Sequence, residues 1–77
     1  MLLTPREKET AILVAQGYKD HEIAAKLGIS RRRVCEIVSS IKKKWKIHSR
    51  VKIGIIVYRL GWIKIPESTK KLLSQNV

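Results

Sequence analysis

The 77-residue sequence predicts an all-α fold, a four-helix bundle, on three observations. Apolar residues recur at intervals of three and four, capping residues precede the periodic segments, and glycines follow three of them. Nowhere do apolar and polar residues alternate long enough for a strand. A chain this short is one small domain that buries only roughly 60–65% of its unfolded surface, so its size alone suggests a partner subunit.

Thr4-Pro5-Arg6-Glu7 opens the first helix. Thr4 can accept from the Glu7 amide, Glu7 can reach back to the Thr4 amide, and Pro5 takes the first helical position, where no N–H is needed. The helix is predicted to run to about Gln16, with Gly17 as its stop. Ala11 to Ala15 is almost continuously apolar, which calls for neighbours on more than one side. Asp20 is expected to cap a second helix of about two turns, with Ile23, Ala24 and Leu27 on one face and Gly28 at its end.

Ser30 caps a third helix, residues 31–46, whose Val34, Ile37, Val38, Ile41 and Trp45 form a buried stripe. At about 100° per residue, Arg32, Glu36, Ser39 and Lys43 fall opposite it, with Cys35 and Ser40 alongside. Trp45 therefore belongs to the core rather than to a base-stacking platform, and Lys44 is expected to lie over Trp45 and Ile41.

The fourth helix runs from Ser49 to just before Gly61, with Ile53, Ile56, Val57 and Leu60 inward. On its other side Val51, Ile55, Tyr58 and Trp62 line up at spacings of four, three and four, a pattern that marks a contact surface. Gly54 lies beside them, where a missing side chain lets another helix approach. A twofold homodimer through this stripe is expected. The alternative cover is the chain's own extension, residues 64–77, through Ile65, Leu72 and Leu73, with Pro66 opening a short helix. The organisation is thus a domain over 1–63 and an extension over 64–77.

The formal charge of +11 is unevenly placed. Residues 1–30 balance four basic against four acidic side chains, whereas residues 31–50 carry eight basic against Glu36 alone, a net +7. A polyanion suits such a block, because each neutralised phosphate releases condensed counterions.

Other classes have little support. One cysteine and two histidines build neither a disulfide framework nor a four-ligand zinc site, and no cofactor is implied. The longest uncharged apolar run, Ile53 to Tyr58, is far short of the roughly 18 residues that cross a bilayer, and Met1-Leu2-Leu3 opens no signal-peptide core. A soluble cytoplasmic chain is expected. No Gly-rich phosphate loop or paired carboxylates suggest an enzyme, His21 lies at a helix start, and His48 lies in a loop as a solvated residue or phosphate neighbour.

Two short helices joined by a tight turn, the second buried behind and basic in front, read as a helix-turn-helix. Ala24 is small where the helices cross, and Gly28 can take the positive φ of the turn. Leu3-Thr4-Pro5-Arg6-Glu7, Ala15-Gln16-Gly17, Glu22 through Ser30, Ser49-Arg50 and Leu60-Gly61 together resemble the LuxR/GerE-type DNA-binding domain, in order and without gaps over residues 3–63. The resemblance implies a bacterial transcription regulator whose third helix enters the major groove of double-stranded DNA and whose fourth pairs with its twofold mate. Many such domains end a larger regulator; starting at Met1, this chain is expected to be the stand-alone, GerE-like kind unless it is an excised fragment.

One departure bears on specificity. The family usually reads Thr-Val-Lys with a histidine two places on, where this chain has Arg33-Val34-Cys35-Glu36-Ile37. By resemblance, base contacts fall on Cys35, Glu36 and Ser39, so the preferred site should differ from that of typical members. Arg32 suits guanine, whose O6 and N7 accept a guanidinium fork for about 1–3 kcal/mol of discrimination. Its alternative is an ion pair with Glu36, worth about 0.3–0.5 kcal/mol. Glu36 in turn can accept from the amine of cytosine. Arg31, Arg33, Lys42, Lys43, Lys46 and Arg50 are cast as phosphate contacts.

The sequence also admits two rival readings. Arg-Val-x-x-Ile also looks like the promoter-reading module of sigma factors, which would leave Ser49 to Gly61 unexplained. A protein-interaction module docking on another regulator or on RNA polymerase would use Glu36 and the apolar fourth helix, but gains nothing evident from the basic block.

Overall fold

The computed structural model describes residues 2–63, which form four helices: α1 (Pro5–Ala15), α2 (Asp20–Leu27), α3 (Arg31–Trp45) and α4 (Arg50–Arg59). The suggested helix at Pro66 and the cover from Ile65, Leu72 and Leu73 lie outside the described residues.

Local chemistry sets the helix ends. The Thr4 amide donates to Glu7 Oε1 at 2.8 Å and the Glu7 amide donates to Thr4 Oγ1 at 3.2 Å, the reciprocal box read from the sequence. The α2 start differs from expectation. Lys19, not Asp20, is the cap, and its amide donates to Glu22 Oε1 at 2.8 Å. Asp20 becomes the first helical residue, and its carboxylate serves elsewhere. Ser30 Oγ accepts from the Arg33 amide and Ser49 Oγ from the Val51 amide.

Each helix ends on a left-handed residue that turns the chain and lets following amides satisfy the last carbonyls. Gly17 and Tyr18 donate to Val14 and Leu13, and Gly61 and Trp62 donate to Tyr58 and Val57. Gly28 has φ 67° and delivers Ile29, whose amide donates to Ala24, so the α2–α3 crossing is set at the turn.

The core is one cluster. Ala11, Ile23, Val34, Ile41, Ile53 and Val57 are fully buried, joined by Val14, Ala24, Ile37 and Val38. Burying each large member stabilises the domain by about 1.5–3 kcal/mol. α1 packs chiefly on α4 and α3, which explains its nearly continuous apolar run, and α2 packs on α3. Thr10 is buried too, and its hydroxyl donates to the Arg6 carbonyl at 2.8 Å.

Three expectations for α4 change. Leu60 is exposed rather than inward, although as the C-cap it keeps helical geometry and its amide still donates to the Ile56 carbonyl. Trp62 leaves the outer stripe: Gly61, at φ 76°, folds the chain back so that Trp62 packs on Trp45, ring centroids 6.0 Å apart, with the Lys8 ammonium 4.8 Å over its ring. Gly54 faces α1 rather than a partner. A Cβ there would lie 3.6 Å from Ala15 Cα, so the close approach it permits is within the chain.

Candidate nucleic-acid interface

The front of α3 is left uncovered by the other described elements. Val34, Ile37, Val38 and Ile41 occupy its back, while Arg31, Arg32, Arg33, Cys35, Glu36, Ser39 and Lys43 are exposed. Arg32, Cys35, Glu36, Ser39, Ser40 and Lys43 line one shallow depression along this face. A second, at the end of α3, is lined by Ser39, Lys42, Lys43, Lys46, Ile47 and His48. The helix thus presents donors over its whole open length.

Glu36 pairs with Arg33, at 3.6 Å between Nη1 and Oε1, and not with Arg32. The pair is exposed at both ends and contributes at most a fraction of a kcal/mol. Its consequence is positional: among the described residues Arg32 has no ion-pair partner, so its guanidinium stays available on the open face of α3.

Cys35 sits at the edge of this face and turns toward α2, its thiol donating to Asp20 Oδ2 at 3.5 Å. Asp20 also accepts from Arg50 Nη1, while Arg50 Nη2 donates to the Tyr18 carbonyl at 2.8 Å. Burial raises the Asp20 pKa, but the hydrogen bond and charge of Arg50, the Cys35 thiol and the nearby Arg31 outweigh it and hold the carboxyl below its ordinary value. Arg50, expected on phosphate, therefore holds the start of α4 against the α1–α2 turn. Sequence reading missed this link because its members lie 15 and 30 residues apart.

A second link anchors the helix from behind. Lys44, expected over Trp45 and Ile41, carries its ammonium to Glu7 Oε1, to which it donates at 2.6 Å, and Ser40 Oγ donates to Glu7 Oε2 at 2.6 Å. Burial raises the Glu7 pKa, yet hydrogen bonds from Lys44, Ser40 and the Thr4 amide, with the Lys44 charge, lower it from 4.5 to about 2. The capping carboxylate of α1 therefore also fixes α3. Only its local half was legible as a motif.

On α4, Val51, Ile55 and Tyr58 are 72%, 54% and 47% exposed and keep the outer stripe, without Trp62 and Gly54. Among the described residues no group of three His, Cys, Asp or Glu side chains is placed to hold a metal ion, and no helix is long and apolar enough to cross a membrane.

Two helices crossed at a glycine turn, the second apolar behind and basic on its open face, define a helix-turn-helix protein. The family model described as bacterial regulatory proteins, luxR family, matches residues 1–57, and the chain belongs to that family, as the sequence motifs indicate. It is 39% identical over 57 residues to the nitrate/nitrite response regulator protein NarL of Escherichia coli strain K12, covering 74% of this chain and 26% of NarL. It is 33% identical over 64 residues to the transcriptional regulatory protein DegU of Brevibacillus brevis, covering 83% of this chain and 27% of DegU. The chain thus spans about a quarter of the length of these relatives. Family membership makes it a DNA-binding, helix-turn-helix protein of transcription regulation rather than an enzyme.

Proposed function

We propose that the chain binds double-stranded DNA sequence-specifically as a homodimer in the bacterial cytoplasm, inserting α3 into the major groove. The observation that carries this reading is the uncovered basic front of α3, set on a back that is wholly in the core. Arg32, Glu36 and Ser39 are assigned to base edges, with Cys35 at the margin. Arg31, Arg33, Lys42, Lys43 and Lys46 are assigned to phosphates, which give affinity and register.

The exposed stripe of Val51, Ile55 and Tyr58 supports the homodimer, since a twofold axis through α4 buries it against itself. Two reading helices then lie about one DNA turn apart, roughly 34–36 Å, on an inverted repeat.

Selection from a randomised duplex pool by the purified chain at two salt concentrations tests the reading. Recovery of an inverted repeat with steep salt dependence supports it. Weak, unselective retention contradicts it and moves specificity to a partner protein such as RNA polymerase.

A further inference from the structure

The backbone at Lys46 carries a cost that folding does not explain. Among the described residues Lys46 is the only non-glycine with positive φ, at 56°, whereas α1, α2 and α4 end through Gly17, Gly28 and Gly61. A Cβ in the left-handed region crowds the following carbonyl, so glycine is favoured there. The turn itself is required: the amides of Lys46 and Ile47 donate to the Lys43 and Lys42 carbonyls at 3.3 and 3.0 Å, and Ile47 returns to the core cluster. What the turn does not require is a lysine.

The side chain adds a second cost. Lys46 is exposed and shares the depression at the end of α3 with Lys42 and Lys43, beside Ser39, Ile47 and His48, and no carboxylate lines it. Like charges so gathered repel one another in the free protein. The negative end of the helix favours Lys42 to Lys44 in its last turn, and the capping amides of Lys46 and Ile47 already meet the Lys43 and Lys42 carbonyls without help from the Lys46 side chain. Strain and crowding coincide at one exposed side chain that makes no ion pair among the described residues, and such points mark function.

We propose that Lys46 occupies this strained turn for its charge: with Lys42 and Lys43 it holds a backbone phosphate of DNA at the end of α3, and the free domain is less stable for it. The inference rests on the DNA reading above and adds to it a stability–binding conflict at one residue.

Two variants separate backbone from charge. Lys46→Gly relieves both, and Lys46→Gln removes the charge while keeping the left-handed side chain. Thermal melting and duplex binding across a salt series are measured for each and for the wild type. The glycine variant is expected to melt a few degrees higher, net of the greater freedom of its unfolded chain. The glutamine variant should show at most a small part of that rise. Both should bind selected and unrelated duplexes several-fold more weakly, with a log–log salt slope shallower by about 0.9, as for one lost phosphate contact. A glycine variant that melts at or below the wild type, or either variant binding with unchanged affinity and slope while the wild type binds well, overturns the inference alone. A wild-type chain that retains no duplex at low salt overturns the DNA reading and this inference with it.

Discussion

Lys44 of α3 donates to Glu7 of α1 at 2.6 Å, joining residues 37 apart in sequence. The same carboxylate closes the capping box with Thr4 and accepts from Ser40, so one side chain starts the first helix and ties α3 against it. Glu7→Gln should therefore lower stability by on the order of 3 kcal/mol at neutral pH, since a carboxyl held near 2 instead of 4.5 is worth that much when ionised. Urea unfolding of the two chains measures it.

The pH dependence has a definite sign. Because the folded pKa of Glu7 lies below the unfolded one, its contribution is complete above about pH 4.5 and is lost as the pH falls toward 2. Asp20, also lowered, acts in the same direction. The wild-type melting temperature should fall over this window. Glu7→Gln should show a smaller fall, and an equal one would contradict the assignment.

Gly54 is assigned to α1–α4 packing and not to a dimer surface. A methyl group there meets Ala15 Cα and Cβ at 3.6 and 3.9 Å, ordinary contact distances, and alanine favours a helix interior over glycine by up to about 1 kcal/mol. Gly54→Ala should raise stability by about 0.5–1 kcal/mol and leave self-association unchanged. Thermal melting and analytical ultracentrifugation together check both halves.

The stripe of Val51, Ile55 and Tyr58 makes the opposite prediction. Val51→Glu combined with Ile55→Glu alters exposed positions only, so melting should change little, while in the proposed homodimer two facing stripes of carboxylates would repel. Binding to an inverted repeat should drop at least tenfold, toward the affinity for a single half-site. Titration of full and half sites compares them directly.

Most of the architecture was legible because its determinants are local. Thr4 with Glu7, Ser30, Ser49, Gly17, Gly28 and Gly61 each act within one turn, and the Val34-Val38-Ile41 stripe follows from helical period alone. The front of α3 was legible for the same reason. What escaped depends on geometry between elements. Asp20 looked like a cap because nothing in its neighbourhood shows Arg50 or Cys35 arriving from α4 and α3. The partner of the Lys44 ammonium was hidden because Glu7 lies in another helix. Trp62 fitted the outer stripe of α4 only while the helix continued, and the turn at Gly61 sends it to Trp45 instead. Arg32 and Arg33 are both within reach of Glu36 on helical spacing, and the structure selects Arg33.

That selection leaves Arg32 and Lys43 as the cations most directly on the open face of α3, and the proposed function requires them to meet DNA. The decisive measurement is the binding of Arg32→Ala combined with Lys43→Ala to the duplex selected by the wild type, across a salt series. If α3 reads DNA, the double variant shows unchanged melting, at least a hundredfold weaker binding, a shallower salt slope, and lost preference at the base pair facing Arg32, from roughly 1–3 kcal/mol for a guanine pairing plus a phosphate contact. Wild-type affinity and slope in the double variant would show that this face of α3 does not read DNA.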